Sequence, residues 1–208
     1  YNFNMKKWIF ISLLVFVVIF LFFYFSKSGK DIRNYPSDGT TIVVFGDSLV
    51  EGVGASTKGG FVELLSKKTS LPVVNLGVSG NTTADGLKRV NEIFEHDPKV
   101  VVLLLGGNDY LKKVPREETF KNLSEIINKI HEKGAAVLLL GVRGGVLKDN
   151  FEDSFKDLVN MKKVAYVPDV LDGIVFDRAL MSDAIHPNQK GYELIAQKVS
   201  PTLESLLK

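Results

Sequence analysis

The chain contains no cysteine, and that absence removes several kinds of chemistry at once. Disulfide frameworks, thiolate nucleophiles, cysteine-ligated zinc and a lipid-modified cysteine near the N-terminus are all excluded. The compartment stays open, because many exported proteins also lack disulfides. Charge of one sign is equally scarce: 26 Lys and Arg against 24 Asp and Glu leave a net charge of +2. No polybasic field marks the chain for nucleic acid or for an anionic membrane surface. There is no internal repeat and no low-complexity tract. With 208 residues, the chain has room for one domain with a real core plus one appendage.

The appendage is the run from Trp8 to Phe25, which carries no charge and only Ser12 and Tyr24 as partly polar residues. As a helix it would be roughly 27 Å long, close to the ~30 Å hydrocarbon core of a bilayer. An uncleaved transmembrane anchor over 8–25 is therefore expected, behind a short tail at 1–7. A cleaved signal peptide is the competing reading, but its apolar stretch is usually about 7–15 residues and ends in small residues. Here the run ends in Phe22, Phe23, Tyr24 and Phe25. Lysines flank both ends (Lys6, Lys7, Lys27, Lys30), so the positive-inside rule does not decide the orientation. Met5, followed by two lysines, reads as a natural start. Residues 26–40 are rich in Ser, Gly, Asp, Asn and Pro and read as a linker to a domain over 41–208.

Within that domain, strand and helix patterns alternate. Thr41–Phe45, Val73–Asn75, Val100–Leu105, Ala136–Leu140 and Ala165–Val167 predict strands. Phe61–Thr69, Thr83–His96, Arg116–Lys133, Phe151–Lys163 and Pro187–Leu207 predict helices. The strands are near-continuous apolar runs, as expected when both faces are covered, so the pattern predicts a parallel sheet with helices on both sides. In such a fold ligands bind at the carboxyl ends of the strands. The segments to inspect are therefore Gly46-Asp47-Ser48-Leu49, Asn75 to Asn81, and Gly106-Gly107-Asn108-Asp109, together with Asp183-Ala184-Ile185-His186-Pro187-Asn188. Each has an ordinary alternative as a turn, a helix cap or a local ion pair. Their joint placement at strand ends and at the start of the last helix is what points to one site.

Taken together, these four motifs resemble the SGNH, or GDSL, hydrolase family. Its serine, glycine, asparagine and histidine correspond to Ser48 in GDSL, Gly80 in VSGN, Asn108 in GGND and His186 in DAIHPN. The resemblance runs from about Thr41 to Leu203 and is closest to bacterial acyl-CoA thioesterases, lysophospholipases and arylesterases. Ala184 departs from the family's usual glycine, and Asn81 stands where an acidic residue is frequent. The resemblance implies a three-layer α/β/α domain with a five-stranded parallel sheet, flavodoxin-like in topology. It also implies a serine hydrolase of acyl esters or thioesters, on the extracytoplasmic side of a bacterial inner membrane, or periplasmic if the leader is cleaved.

On that view Ser48 is the nucleophile, His186 its base, and Asp183 the group that orients the imidazole. The backbone N–H groups of Ser48 and Gly80 and the Asn108 amide form the oxyanion hole. His96 and His131, in helical segments without a motif, are expected at the surface. Asp47 and Asp109 are expected to hold loops. No metal and no organic cofactor is needed, and neither nucleic acid nor an obligate protein partner is expected. The G-x-S-x-G elbow of α/β-hydrolases is missing around Ser48. Tyr110, Leu111, Val114, Val142, Val146 and Leu147 are candidates for an acyl pocket, with packing among the loops as the alternative. A membrane anchor favours a lipid ester as substrate. The rival readings are an O-acetyl esterase on carbohydrate or peptidoglycan, and a membrane-held binding protein without activity. A phosphodiesterase or nuclease would need a metal-ligand cluster or a basic groove, and the sequence shows neither.

Overall fold

A strand covered on both faces has no reason to alternate polar and apolar residues, and the three longest apolar runs of the domain do not. In the computed structural model, which describes residues 31–142 and 151–208, these runs form the middle of one sheet. They are β1 (Thr41–Gly46), β3 (Pro98–Leu104) and β4 (Ala136–Leu140); β2 is Val73–Gly77 and β5 is Ala165–Val167. The order is β2-β1-β3-β4-β5 and every pairing is parallel. From Ile42 to Phe45, Val100 to Leu104 and Ala136 to Leu140 the side chains are fully buried. The edge strands β2 and β5 are only partly covered.

Parallel neighbours need crossovers, and helices supply them. Numbered among the described residues, they are α1 (Ser48–Glu51), α2 (Gly60–Ser66), α3 (Thr83–Arg89), α4 (Gly107–Leu111), α5 (Arg116–Glu132), α6 (Phe151–Lys162) and α7 (Gln189–Leu206). α2 packs on α7 through the stacked rings of Phe61 and Tyr192, 6.4 Å between centroids. α5 packs on α6 through Phe120 against Phe151 and Phe155 at 5.4 and 5.0 Å. With α3 beside α5, these two groups cover the two faces of the sheet. The helical periodicity of α5 runs through Phe120, Leu123, Ile126, Ile127 and Ile130, of which the last four are fully buried and Phe120 partly so. Burying such a side chain contributes about 1.5–3 kcal/mol. Gly134, with φ +82°, follows the end of that helix.

The chain leaves β1 toward β2, then returns past β1 to build β3, β4 and β5 on the other side. The direction of winding therefore reverses between β1 and β3. The loops at the carboxyl ends of these two strands diverge and open a crevice there. The segments beginning at Asp47 and Gly107 border it.

Several boundaries differ from the expectations. The helix expected over Thr83–His96 is α-helical only to Arg89, and a 3-10 helix runs from Val90 to His96. Strand β3 starts at Pro98, which can open a strand because its missing N–H is not needed there. The last helix begins at Gln189 with Asn188 as its cap, so Pro187 precedes the helix instead of opening it. His131, expected at the surface, is 4% exposed. It lies inside because residues 33–37 cross the end of α5: Asn34 Nδ2 donates to the carbonyls of His131 and Ala135 at 2.8 and 3.1 Å, and Ser37 Oγ to that of Gly134 at 3.0 Å. The packed body therefore reaches back to Ile32, into the stretch that reads as linker.

Among the described residues no helix is long and apolar enough to cross a membrane. The run at 8–25 lies outside the described residues, as do Val146 and Leu147.

Candidate active site

Strand β1 ends at Gly46, and Asp47 caps the short helix α1, accepting the Leu49 N–H on Oδ1 at 3.0 Å. Ser48 is thereby the first residue of that helix, at the mouth of the crevice. α1 lies directly on the end of β2: a Cβ on Gly77 would sit 2.1 Å from the Glu51 nitrogen, so only glycine permits the approach.

The histidine arrives from the far end of the chain. Asn188 caps α7 by accepting from Lys190 and Gly191, while its amide donates to the carbonyls of Ala179 and Met181. This pins the turn that precedes the helix. Within the turn, Asp183 Oδ1 accepts the backbone N–H groups of Ile185 and His186, both at 2.8 Å. Its second oxygen, Oδ2, lies 2.7 Å from His186 Nδ1. His186 Nε2 lies 3.0 Å from Ser48 Oγ. The hydrogen bond to His186, helped by the two backbone donors, holds the Asp183 carboxyl down at about 2. An ionised carboxylate on Nδ1 favours the tautomer whose Nε2 lone pair faces the serine.

Beside the serine, residues 78–81 form a tight turn in which Gly80 has φ +78°. Apart from its own chain neighbours, no atom of the described residues lies within 4 Å of the position its Cβ would take. Glycine is favoured here by the left-handed backbone, not by crowding from the protein. Asn108, in α4, donates through Nδ2 to the Asn81 carbonyl at 3.0 Å and, through a longer bond, to Asp47 Oδ2 at 3.4 Å. Three further side chains hold the same turn. Glu51 accepts from Ser79 N and Oγ, Lys112 Nζ donates to the Gly80 carbonyl at 2.8 Å, and Arg89 Nε donates to Asn81 Oδ1 at 2.6 Å. Ser48 and Gly80, each in the segment that follows a strand end, keep backbone N–H groups without an acceptor among the described residues.

These motifs and their placement have known counterparts. Residues 44–194 match the GDSL-like Lipase/Acylhydrolase family. The chain belongs to that family. It is 34% identical to esterase TesA of Pseudomonas aeruginosa over 179 residues, which cover 80% of this chain and 89% of that protein. It is 28% identical to the Escherichia coli protein named thioesterase 1/protease 1/lysophospholipase L1, over 80% of this chain and 85% of that one. The crystal structure of TesA superposes with a TM-score of 0.74 at 34% identity, covering 80% of this chain and 99% of that chain. This GDSL chain is accordingly a serine ester hydrolase with the three-layer α/β architecture of its family.

In this GDSL domain the crevice deepens into a cavity of about 420 Å³ that contains Ser48, Asn108 and His186 in its wall. Of the expected pocket residues, Tyr110, Leu111 and Val142 line it, while Val114 does not. The apolar residues missed are Leu171, Val175, Phe176 and Ile185, from the segment between β5 and α7, which also brings Asp169 and Asp172 to the wall. Phe176 is 72% exposed, and Tyr110, Leu111 and Ile185 also stand out into solvent, so the rim is as apolar as the wall. A signal for these residues existed: β5 ends at the active edge, so the loop that follows it must begin there.

The neighbouring aspartates differ in role. Asp109 is fully buried and accepts from Thr83 N, Thr83 Oγ1 and Thr119 Oγ1, tying α4 to α3 and α5. Asp47 is 3% exposed, and burial pushes its carboxyl up to about 6.

Proposed function

We propose that the enzyme hydrolyses carboxylic esters or thioesters of apolar acyl chains through an acyl intermediate on Ser48. The observation that carries this is the chain Asp183–His186–Ser48, with contacts of 2.7 and 3.0 Å, facing a cavity of about 420 Å³ with mostly apolar walls.

The Ser48 hydroxyl adds to the acyl carbonyl while its proton passes to His186 Nε2. The carbonyl oxygen becomes an oxyanion that accepts from the N–H groups of Ser48 and Gly80 and from Asn108 Nδ2, which gives up its long bond to Asp47 Oδ2. Collapse of the adduct breaks the bond to the alcohol or thiol, which leaves with the proton from His186. Water then adds to the acyl-serine, giving its proton to His186, and the carboxylic acid departs as Ser48 regains its hydrogen. Asp183 stays ionised throughout and stabilises the imidazolium.

The apolar rim and cavity favour medium or long acyl chains over acetyl. Relatives named esterase and lysophospholipase are consistent with that choice. The 18 uncharged residues from Trp8 to Phe25 support a membrane anchor, and the family resemblance together with it favours an extracytoplasmic enzyme near its lipid substrates. Resistance of the protein to carbonate extraction, with an intact mass that includes this run, checks the anchor.

For the activity, the full chain and its Ser48→Ala variant are assayed on p-nitrophenyl esters from acetyl to palmitoyl. Hydrolysis that peaks at eight carbons or more and vanishes in the variant is expected. Activity confined to acetyl would move the substrate to O-acetylated glycans. Activity retained by the variant would remove Ser48 from the mechanism.

A further inference from the structure

Arg89, the last residue of α3, looks in the sequence like one more surface cation on a helix. Its side chain is 14% exposed, and its guanidinium is used on every side. Nη2 donates to the carbonyl of Gly46 at 2.8 Å and to that of Leu76 at 3.0 Å. Nε donates to Asn81 Oδ1 at 2.6 Å, and Nη1 pairs with Glu92 at 3.1 Å. The face of the group lies over the Phe45 ring, 4.0 Å from its centroid.

Three of these contacts bear on the chemistry. Gly46 is the last residue of β1, two before Ser48. Leu76 lies in β2, four before Gly80, and Asn81 directly follows Gly80. β1 and β2 are neighbours, with Gly46 opposite Gly77. A single planar fork therefore joins the two strand ends whose following turns present the free N–H groups of Ser48 and Gly80.

From this arrangement we infer that Arg89 is a positioning residue: it sets the spacing between the two backbone donors that receive the oxyanion. The inference rests on assigning those donors, with Asn108, to the oxyanion hole. A guanidinium suits the task because its donors are fixed in one plane, whereas a lysine supplies a single mobile point charge. Asn81 is a neutral partner, so the contact on the turn side is geometric and does not neutralise the cation. Glu51 and Lys112 hold the same turn from exposed positions. Arg89 alone among these three also grips both strand ends. Donors that act on the tetrahedral adduct affect turnover and not ground-state binding, so loss of the fork lowers kcat and leaves KM in place.

The test uses the full chain with Arg89→Lys, Asn81→Ala and Asn108→Ala. Each variant is measured for kcat and KM on an octanoyl ester, for thermal unfolding, and for inhibition by two octyl compounds. One is a trifluoromethyl ketone, which forms the tetrahedral adduct on serine; the other is the matching ether, which cannot. Arg89→Lys is expected to lower kcat by about tenfold or more. The ketone's inhibition constant rises by a similar factor, while KM and the ether's constant stay within about twofold. Asn81→Ala, which cuts only the arm to the turn, shifts the same ratio in the same direction by less.

A folded Arg89→Lys enzyme with parental kcat and parental ketone-to-ether ratio overturns the proposal. So does a loss in which both inhibitors weaken together, since that marks general disorder of the site. If Arg89→Lys does not fold, Asn81→Ala decides: an unchanged ratio there overturns the proposal as well. Asn108→Ala tests the underlying assignment separately. Should it leave the ratio unchanged, the oxyanion hole is misassigned, whatever Arg89 does.

Discussion

At the carboxyl end of the sheet, Glu51, Arg89, Asn108 and Lys112 bind the turns that follow β1 and β2. At the amino end, Asn34, Tyr35, Ser37 and Lys99 bind one another's segments and the carbonyls of His131, Gly134, Ala135 and Ser205. Both sets are side chains holding backbone, and they differ in what they leave unsatisfied. The amino-end contacts satisfy carbonyls at the ends of α5 and α7 and close that end of the domain. The carboxyl-end contacts fix two turns while the N–H groups of Ser48 and Gly80 remain without an acceptor among the described residues. The same type of bond thus serves closure at one end and preorganisation at the other. Substitutions at the two ends should separate cleanly into losses of stability and losses of turnover.

The largest effect is expected at the nucleophile and its base. Ser48→Ala or His186→Ala should reduce kcat by roughly 10⁴-fold or more, because each member of such a triad is needed for the others to act. Thermal melts should show little change, since Ser48 Oγ and the His186 ring join no packed core. A variant that kept more than a few per cent of parental activity would break the assignment. Asn108→Ala comes next. Loss of one donor to the oxyanion should lower kcat by about 10²–10³-fold with KM nearly unchanged, measured on a medium-chain ester.

Asn34→Ala is the counterpart at the other end. It removes two hydrogen bonds to carbonyls near the end of α5 and should cost about 1–2 kcal/mol. For a domain of this size that lowers the melting temperature by roughly 2–8 °C. Below the melt, kcat should match the parent. A fall in kcat at full folding would mean that the two ends of the sheet are mechanically coupled, and the contrast drawn between them would fail.

The two ends were also unequally legible in the sequence. Ser48, Gly80, Asn108, Asp183 and His186 could be proposed because each lies in a short contiguous motif beside a strand or helix boundary, and the four motifs together resemble those of a known family. The parallel sheet could be read from apolar runs that lack alternation. The Leu171 to Phe176 part of the cavity wall was harder to see, because it belongs to a stretch without periodicity and its only signal is that β5 ends at the active edge. Arg89 was hidden for another reason: its partners Gly46 and Leu76 offer backbone carbonyls, which leave no mark in a sequence. His131 was misplaced because its cover comes from Asn34, 97 residues away. A helix pattern alone assigns such a residue to solvent.

His131 and Asp47 also provide the finest test of the comparison, since they are buried at opposite ends with shifts of opposite linkage sign. Among the described residues, neither ring nitrogen of His131 has a hydrogen-bond partner. Burial, helped by the charges of Arg33 and Lys162, pushes its pKa down to about 4 from 6.5. Between those values the unfolded chain binds a proton that the native protein refuses. His131 therefore favours the native state above about pH 6.5 and loses that contribution as pH falls toward 4. Asp47 runs the other way. Burial raises its pKa from 3.8 to about 6, so in nearly the same window the native protein holds a proton that the unfolded chain has released. Its contribution is fully present below about pH 4 and is lost as pH rises through 6. The two slopes oppose each other, and the parent should show a shallow dependence of stability on pH between 4 and 6.5. His131→Leu removes the first slope, so that variant should gain stability relative to the parent as pH is lowered from 7 to 5, by about 1–2 kcal/mol. Asp47→Asn removes the second slope and should lose stability relative to the parent over the same step. Chemical denaturation of the parent and both variants at pH 5 and 7 measures these differences. Parallel pH profiles for all three proteins would show that neither buried group changes its proton affinity on folding.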